Sequence, residues 1–194
     1  MADEGDAASL TILGLRNKPR RRYLGQPRFS GKPELAYRQF RLAADQGDVQ
    51  AQYWVGMMEA QGVGTERNIE RAACWIAAAA EQGQALSISL LGLMHVQHLG
   101  LPENPNEGVR LIREAAEQGM PKARYRLGYM YLKGNHLPPD AQQACVWFLL
   151  AYEGTSLARP YLHKMREEMD PADYDQALVE AAKLDDTFTE PKLP

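Results

Sequence analysis

The sequence predicts an all-α protein: a right-handed α-solenoid of stacked antiparallel helix hairpins, built from 36-residue repeats. Three columns of residues support this, because each recurs at the same interval. The string Ala-Ala-Asp/Glu-Gln-Gly occurs at 43–47, 79–83 and 115–119. An apolar residue followed by glycine, with a methionine two positions after the glycine, occurs at 55–58, 91–94 and 127–130. A side chain suited to helix capping occurs at Asn68, Asn104 and Asp140.

The second helix of each hairpin is bounded at both ends by these columns. The three capping side chains can accept hydrogen bonds from the free N–H groups of a first helical turn, which predicts helix starts at about residues 69, 105 and 141. Apolar residues then recur on one helical face, as at Ala72, Ile76 and Ala79. The glycine that closes each Ala-Ala-Asp/Glu-Gln-Gly string is expected to end the helix in a left-handed conformation.

The first helix of each hairpin lies between that glycine and the next capping residue. Its apolar stripe is illustrated by Ala51, Val55 and Met58. A mid-helix glycine costs about 1 kcal/mol relative to alanine, yet one recurs in register at Gly56, Gly92 and Gly128. We therefore expect a close approach of the partner helix at these positions.

The two ends of the chain are predicted to differ from the repeats. A basic extension covers 1–32, with residues 9–15 and their Leu13-Gly14 pair as a degenerate first helix before an enlarged loop. The repeats comprise a half repeat at 33–47 and full repeats at 48–83, 84–119 and 120–154. A helical cap follows at 155–184, with Asp170 starting its last helix and Ala177, Leu178, Ala181 and Leu184 on the apolar side. The tail, 185–194, is expected to fray.

The repeated pattern resembles the Sel-1-like repeat, a bacterial relative of the tetratricopeptide repeat. The resemblance is carried by the Leu-Gly pair, the methionine after it, the Gly62-Val63-Gly64 loop, the Ala72-x-x-Trp75 core and the closing string, over about residues 34–154. The family's usual aromatic after the methionine is Tyr131 in the last repeat, but Glu59 and His95 stand there in the others. The resemblance implies adaptor, scaffold or regulatory work without catalysis.

Composition and motifs exclude several classes of protein. The 22 basic and 25 acidic residues give a net charge of -3, which does not favour nucleic-acid binding by the whole surface. No apolar run reaches the roughly 18 residues of a membrane span, and no phosphate-binding, dinucleotide-binding or nucleophile motif is present. Cys74 and Cys145 are expected as buried free thiols. We therefore expect a cytoplasmic protein without a cofactor, a bound metal or a small-molecule substrate.

The candidate partner-binding surface is the concave face formed by the first helices. Side chains there that vary between repeats are not demanded by the repeat, and they are expected to recognise a partner protein or peptide. The predicted set is Tyr53, Met57, Glu59, Leu93, His95, Arg124, Tyr125, Arg126 and Tyr129. Lys122 and Lys133 lie near the last four, where an acidic side chain or a C-terminal carboxylate is expected to dock.

Two alternatives remain open from the sequence. One is a nucleic acid or another anionic partner, held by the basic segment that contains Arg16, Lys18, Arg20, Arg21, Arg22 and Arg28. Residues 1–32 carry a net charge of +4, against -7 for the rest of the chain. The other is a hydrolase or metal protein built around His95 and His98, whose spacing suits two ligands of one metal ion.

Overall fold

The computed structural model describes residues 6–17 and 32–191, and all the regular secondary structure in this part of the chain is helical. The all-α prediction is thus confirmed. By contacts the chain divides into two compact units, Met1–Pro102 (unit 1) and Glu103–Pro194 (unit 2). The ten helices of the described ranges are α1 (Ala7–Asn17), α2 (Pro33–Asp45), α3 (Val49–Gln61), α4 (Ile69–Glu81), α5 (Ala85–Gln97), α6 (Pro105–Glu117), α7 (Pro121–Lys133), α8 (Ala141–Ala151), α9 (Arg159–Glu168) and α10 (Pro171–Leu184).

The second helices begin where the capping column predicts. The side chains of Asn68, Asn104 and Asp140 each accept a hydrogen bond from the backbone N–H three residues further on, and α4, α6 and α8 begin at the next residue. The left-handed helix ends are also confirmed, since φ is 89° at Gly47 and 81° at Gly83. Local sequence chemistry is therefore sufficient to set these helix boundaries.

Mid-helix glycines bring the two helices of a hairpin together. In unit 1, a Cβ on Gly56 would lie 2.8 Å from the Ile76 side chain and 3.1 Å from the Ala72 carbonyl oxygen. In unit 2, a Cβ on Gly128 would lie 3.0 Å from the Phe148 ring. The predicted close approach is confirmed at these two positions.

Unit 1 begins with a complete hairpin. The helix at Ala7–Asn17 packs on α2 through Leu10 and Phe40, which share one core with Val55 of α3. A Cβ on Gly14 would come within 2.6 Å of the Phe40 ring, so the Leu13-Gly14 pair does take the expected glycine position. Residues 33–47 are thus the second half of a full hairpin whose two helices are joined by a longer connection.

Unit 2 ends with α9 and α10. The second of these helices packs on α8 through Tyr174, Ala177 and Ala181, all buried. Leu184, predicted on the same apolar side, is instead 51% exposed. The sequence predicts that the tail frays, but its first residue is held in place. The Asp185 carboxylate lies 2.6 Å from the Arg124 guanidinium.

The two cysteines have different surroundings. Cys145 is buried as predicted, whereas the prediction of a buried thiol is wrong for Cys74, which is exposed on α4. In residues 6–17 and 32–191, no helix is long and apolar enough to cross a bilayer.

Candidate partner-binding surface

The helix α7 carries three cations and a tyrosine along one face. Positions 122, 126, 129 and 133 are four, three and four residues apart, so they line up on a helix. We call this face, formed by Lys122, Arg126, Tyr129 and Lys133, the α7 stripe. The two lysines are exposed, and Arg126 and Tyr129 are half-buried. Desolvation lowers the pKa of the Arg126 guanidinium from its ordinary value, yet the group stays charged at neutral pH.

Beside the α7 stripe lies a group of four packed rings, which we call the tyrosine cluster. Its members are Tyr125, Tyr129, Phe148 and Tyr161, with ring centroids between 5.1 and 6.2 Å apart. Burial and a hydrogen bond with Tyr161 raise the pKa of Tyr125 to about 12. The Lys133 ammonium lies 5.9 Å from the centroid of the Tyr129 ring. Three tyrosines from two helices thus form a half-buried aromatic surface next to cations.

The same stripe is uncharged in unit 1. At the matching positions α3 has Gln50, Trp54, Met57 and Gln61, and α5 has Leu86, Leu90, Leu93 and Gln97. Since the repeat folds with neutral residues at these positions, the cations of the α7 stripe are not needed for the hairpin itself.

Arg124, predicted on the partner-binding surface, forms its hydrogen bonds within unit 2. Its guanidinium donates to the carbonyl oxygens of Ala116 (3.1 Å) and Leu150 (3.0 Å) and to the Asp185 carboxylate (2.6 Å). Its side chain is only 12% exposed. Hydrogen bonds from the Thr187 hydroxyl and from Arg124 lower the pKa of Asp185 to about 2. We therefore correct the expected role of Arg124: it joins α6, α8 and the segment after α10.

Glu59, also predicted to face a partner, is fully buried. Its carboxylate accepts a 2.7 Å hydrogen bond from the Tyr37 hydroxyl and lies 3.4 Å from the Arg71 guanidinium. This acid therefore holds α3 to α2 and α4, and it cannot contact a partner directly. The one sequence signal for this contact is Tyr37, which lies on α2 in the preceding hairpin. The repeat pattern does not mark that tyrosine as a partner of Glu59.

The other residues predicted in unit 1 are half-buried. They are Tyr53, Met57, Leu93 and His95, and the Tyr53 ring packs edge-on against Trp54 at 5.4 Å. His98 ends α5 in the left-handed conformation, with φ 54°. In the described ranges, no group of three or more His, Cys, Asp or Glu side chains is placed to hold a metal ion. The metal alternative thus gains no support from the positions of His95 and His98.

The basic segment of the alternative hypothesis falls outside the described residues. Lys18, Arg20, Arg21, Arg22 and Arg28 belong to the range 18–31, and Arg16 lies in α1 without a described side chain. The anionic-partner alternative therefore stays a prediction from sequence.

Comparison with known proteins gives a consistent picture. A sequence model described as the Sel1 repeat matches residues 23–48, 49–84, 85–120 and 121–156, which is more than half of the chain. No curated protein matches the chain significantly.

The solved structures similar to this one include two Sel1-type repeat proteins. The first is c5321, a protective antigen of uropathogenic Escherichia coli strains with an SLR fold, at 26% identity and a TM-score of 0.73. That match covers 93% of this chain but only 38% of c5321. The second is a Sel1 repeat protein from Oxalobacter formigenes, at 26% identity and a TM-score of 0.74, covering 94% of this chain and 73% of that one.

Proposed function

Because the chain belongs to the Sel1 repeat family, we propose that it is a non-catalytic interaction module, an adaptor, scaffold or regulator that binds a partner protein or peptide. Sel1 repeat proteins are generally protein-interaction modules. The binding surface in this proposal is the exposed face of the first helices. The proposed location is the cytoplasm, where both free cysteines would stay reduced.

One observation carries the proposal: the α7 stripe and the tyrosine cluster present exposed cations beside half-buried rings, at positions where the other repeats are neutral. Tyrosine and arginine are enriched in the energetically dominant parts of protein interfaces, because they combine large apolar area with directed polar groups. Residues that a fold does not require are available for recognition. Arg124 and Glu59 are excluded from this surface by their internal partners.

Site-specific photocrosslinking tests this function. The photoreactive residue p-benzoylphenylalanine, placed at Tyr129, is expected to capture a specific partner in cells of the source organism. The matched control is the same residue at Phe188, another half-buried aromatic of unit 2. A partner captured at position 129 and absent at position 188 supports the proposal. Equal capture at both positions, or none at position 129, contradicts it.

A further inference from the structure

We infer that the α7 stripe binds an acidic, tyrosine- or phenylalanine-containing segment of a partner protein, an inference that rests on the proposed interaction function. The first argument is charge. Helix α7 contains four cations and no acid, although the chain has a net charge of -3. Arg124 is used internally, whereas Lys122 and Lys133 are both exposed on one face of the helix. A positive face on an acidic protein favours a negatively charged ligand.

The neighbouring helix adds an aromatic ring to this surface. Tyr161 brings α9 against α7, with its ring centroid 5.9 Å from both Tyr125 and Tyr129. The cations of α9 have partners of their own, since the Arg159 guanidinium lies 5.2 Å over the Tyr152 ring and the Lys164 ammonium lies 3.7 Å from Glu168. The aromatic surface of unit 2 is therefore built by two helices and bordered by the lysines of α7, which suits a ligand that combines carboxylates with an aromatic side chain.

The length of the stripe sets the size of the ligand. Lys122 and Lys133 are 11 residues apart, which at 1.5 Å per residue gives roughly 16 Å along the helix axis. An extended peptide advances about 3.3 Å per residue, so some five residues span this distance. Two carboxylates near the ends of such a segment reach both lysines, and an aromatic residue between them lies over Tyr129.

The packing of the rings favours a peptide over a nucleic acid. Single-stranded nucleic acids bind through bases that stack on exposed aromatic faces. In the tyrosine cluster the rings pack on one another at angles from 18° to 85°, and Phe148, stacked on Tyr161 at 5.1 Å, is fully buried. The cluster therefore offers ring edges and hydroxyl groups, which suit a side chain with a carboxylate or phenol better than they suit a base.

Fluorescence anisotropy on the full chain tests the inference. The probes are a labelled peptide Glu-Glu-Tyr-Glu-Tyr-Glu-Glu, the same peptide with Gln for every Glu, and a labelled ten-nucleotide oligothymidylate. The test variant is Lys122→Gln with Lys133→Gln, both exposed residues. The control is Lys32→Gln with Lys183→Gln, which removes the same charge from exposed sites elsewhere. All variants are first shown to keep the helical circular dichroism of the parent chain.

We expect the acidic peptide to bind more tightly than the Gln peptide and than oligothymidylate. The test variant should weaken its binding by about two- to thirtyfold, the effect of two surface charge pairs, and rising salt should weaken it further. The control variant should change the affinity by less than twofold. Undetectable binding at millimolar peptide, equal loss in both variants, or tighter binding of oligothymidylate overturns the inference. If crosslinking at position 129 captures a partner while one of these outcomes is observed, the interaction function holds and only the acidic ligand is rejected.

Discussion

Gly14 lies against the ring of Phe40, so closely that a Cβ at position 14 would be 2.6 Å from the ring. Gly56 has the same relationship to Ile76 and Gly128 to Phe148. Gly14 and Phe40, however, are 26 residues apart, whereas the other two pairs are 20 residues apart. The first hairpin thus repeats the packing of the others although its glycine and the facing ring lie six residues further apart along the chain.

Gly14→Ala is expected to destabilise unit 1. The added methyl group overlaps the buried Phe40 ring, and overpacking of this kind costs about 1–3 kcal/mol. The better helix propensity of alanine offsets about 1 kcal/mol of this cost. Urea unfolding measures the loss. The same substitution in a Phe40→Leu background should cost less, because the smaller side chain leaves room for the methyl group. An unfolding midpoint that rises for Gly14→Ala, as helix propensity alone predicts, would show that α1 does not pack on α2 as described.

His98→Gly is expected to stabilise the protein. His98 has φ 54°, and the matching residues of the neighbouring repeats are glycines, Gly62 and Gly134, with φ 69° and 68°. A side chain in this left-handed region is strained, so the substitution should add about 0.5–1 kcal/mol to the free energy of unfolding. His163→Gly, inside α9, serves as the control and should lower it by about 1 kcal/mol. Destabilisation by His98→Gly would count against the left-handed helix end.

Tyr37→Phe is expected to lower the free energy of unfolding by about 1.5–3 kcal/mol. The variant removes the hydroxyl that donates to the buried Glu59 carboxylate. A hydrogen bond to a charged group contributes about 1.5–3 kcal/mol to stability. Thermal unfolding provides the measurement. Glu59→Gln is the companion variant, because the amide oxygen can still accept from Tyr37. Native stability in Tyr37→Phe would contradict the buried contact.

Asp185→Asn is expected to destabilise the protein at neutral pH and to have little effect at acid pH. The pKa of Asp185 is lowered from 3.8 to about 2, so its stabilising contribution is present above pH 3.8 and disappears as the pH falls through about 2. Because the Asp185 side chain remains 18% exposed and water screens the pair, we expect about 1 kcal/mol at pH 7. Urea unfolding from pH 7 to about 1.5 measures the difference, with the exposed Asp186→Asn as control. A difference that stays constant over this range would refute the ionised pair.

The two thiols are expected to react at very different rates. Cys74 is exposed, whereas Cys145 is buried and its desolvation raises the pKa of the thiol to about 12. The thiolate is the reactive form, so little of it is present at Cys145 near neutral pH. A thiol-specific chromogenic reagent should titrate one group in the native protein and two after unfolding. Two fast groups in the native protein would show that Cys145 is accessible.

The sequence was sufficient to predict the second helices, because their start depends on groups only three residues apart. Asn68 caps α4 through the N–H of Arg71, and the left-handed Gly83 follows that helix. The first hairpin was harder to recognise. Its longer connection removes α1 from the common register, so the Leu13-Gly14 pair predicted the glycine position whereas its contact with Phe40 needed the tertiary structure.

The candidate surface could be predicted only in part. Glu59 and Tyr131 occupy the same register, yet Glu59 is buried against Tyr37, whereas the Tyr131 hydroxyl accepts a hydrogen bond from Arg113. The repeat places these side chains on equivalent parts of their helices, but it does not specify the residue that each one meets on the preceding helix.

The sequence by itself determined the class of fold, the repeat length and the boundaries of most helices, since periodicity and capping act over a few residues. Only the tertiary structure decided which cations of α7 remain for a partner. Arg124 forms an ion pair with Asp185, 61 residues further along the chain, whereas Lys122 and Lys133 are exposed. The availability of a charge depends on its burial and on its partners from distant helices, and a local pattern contains neither.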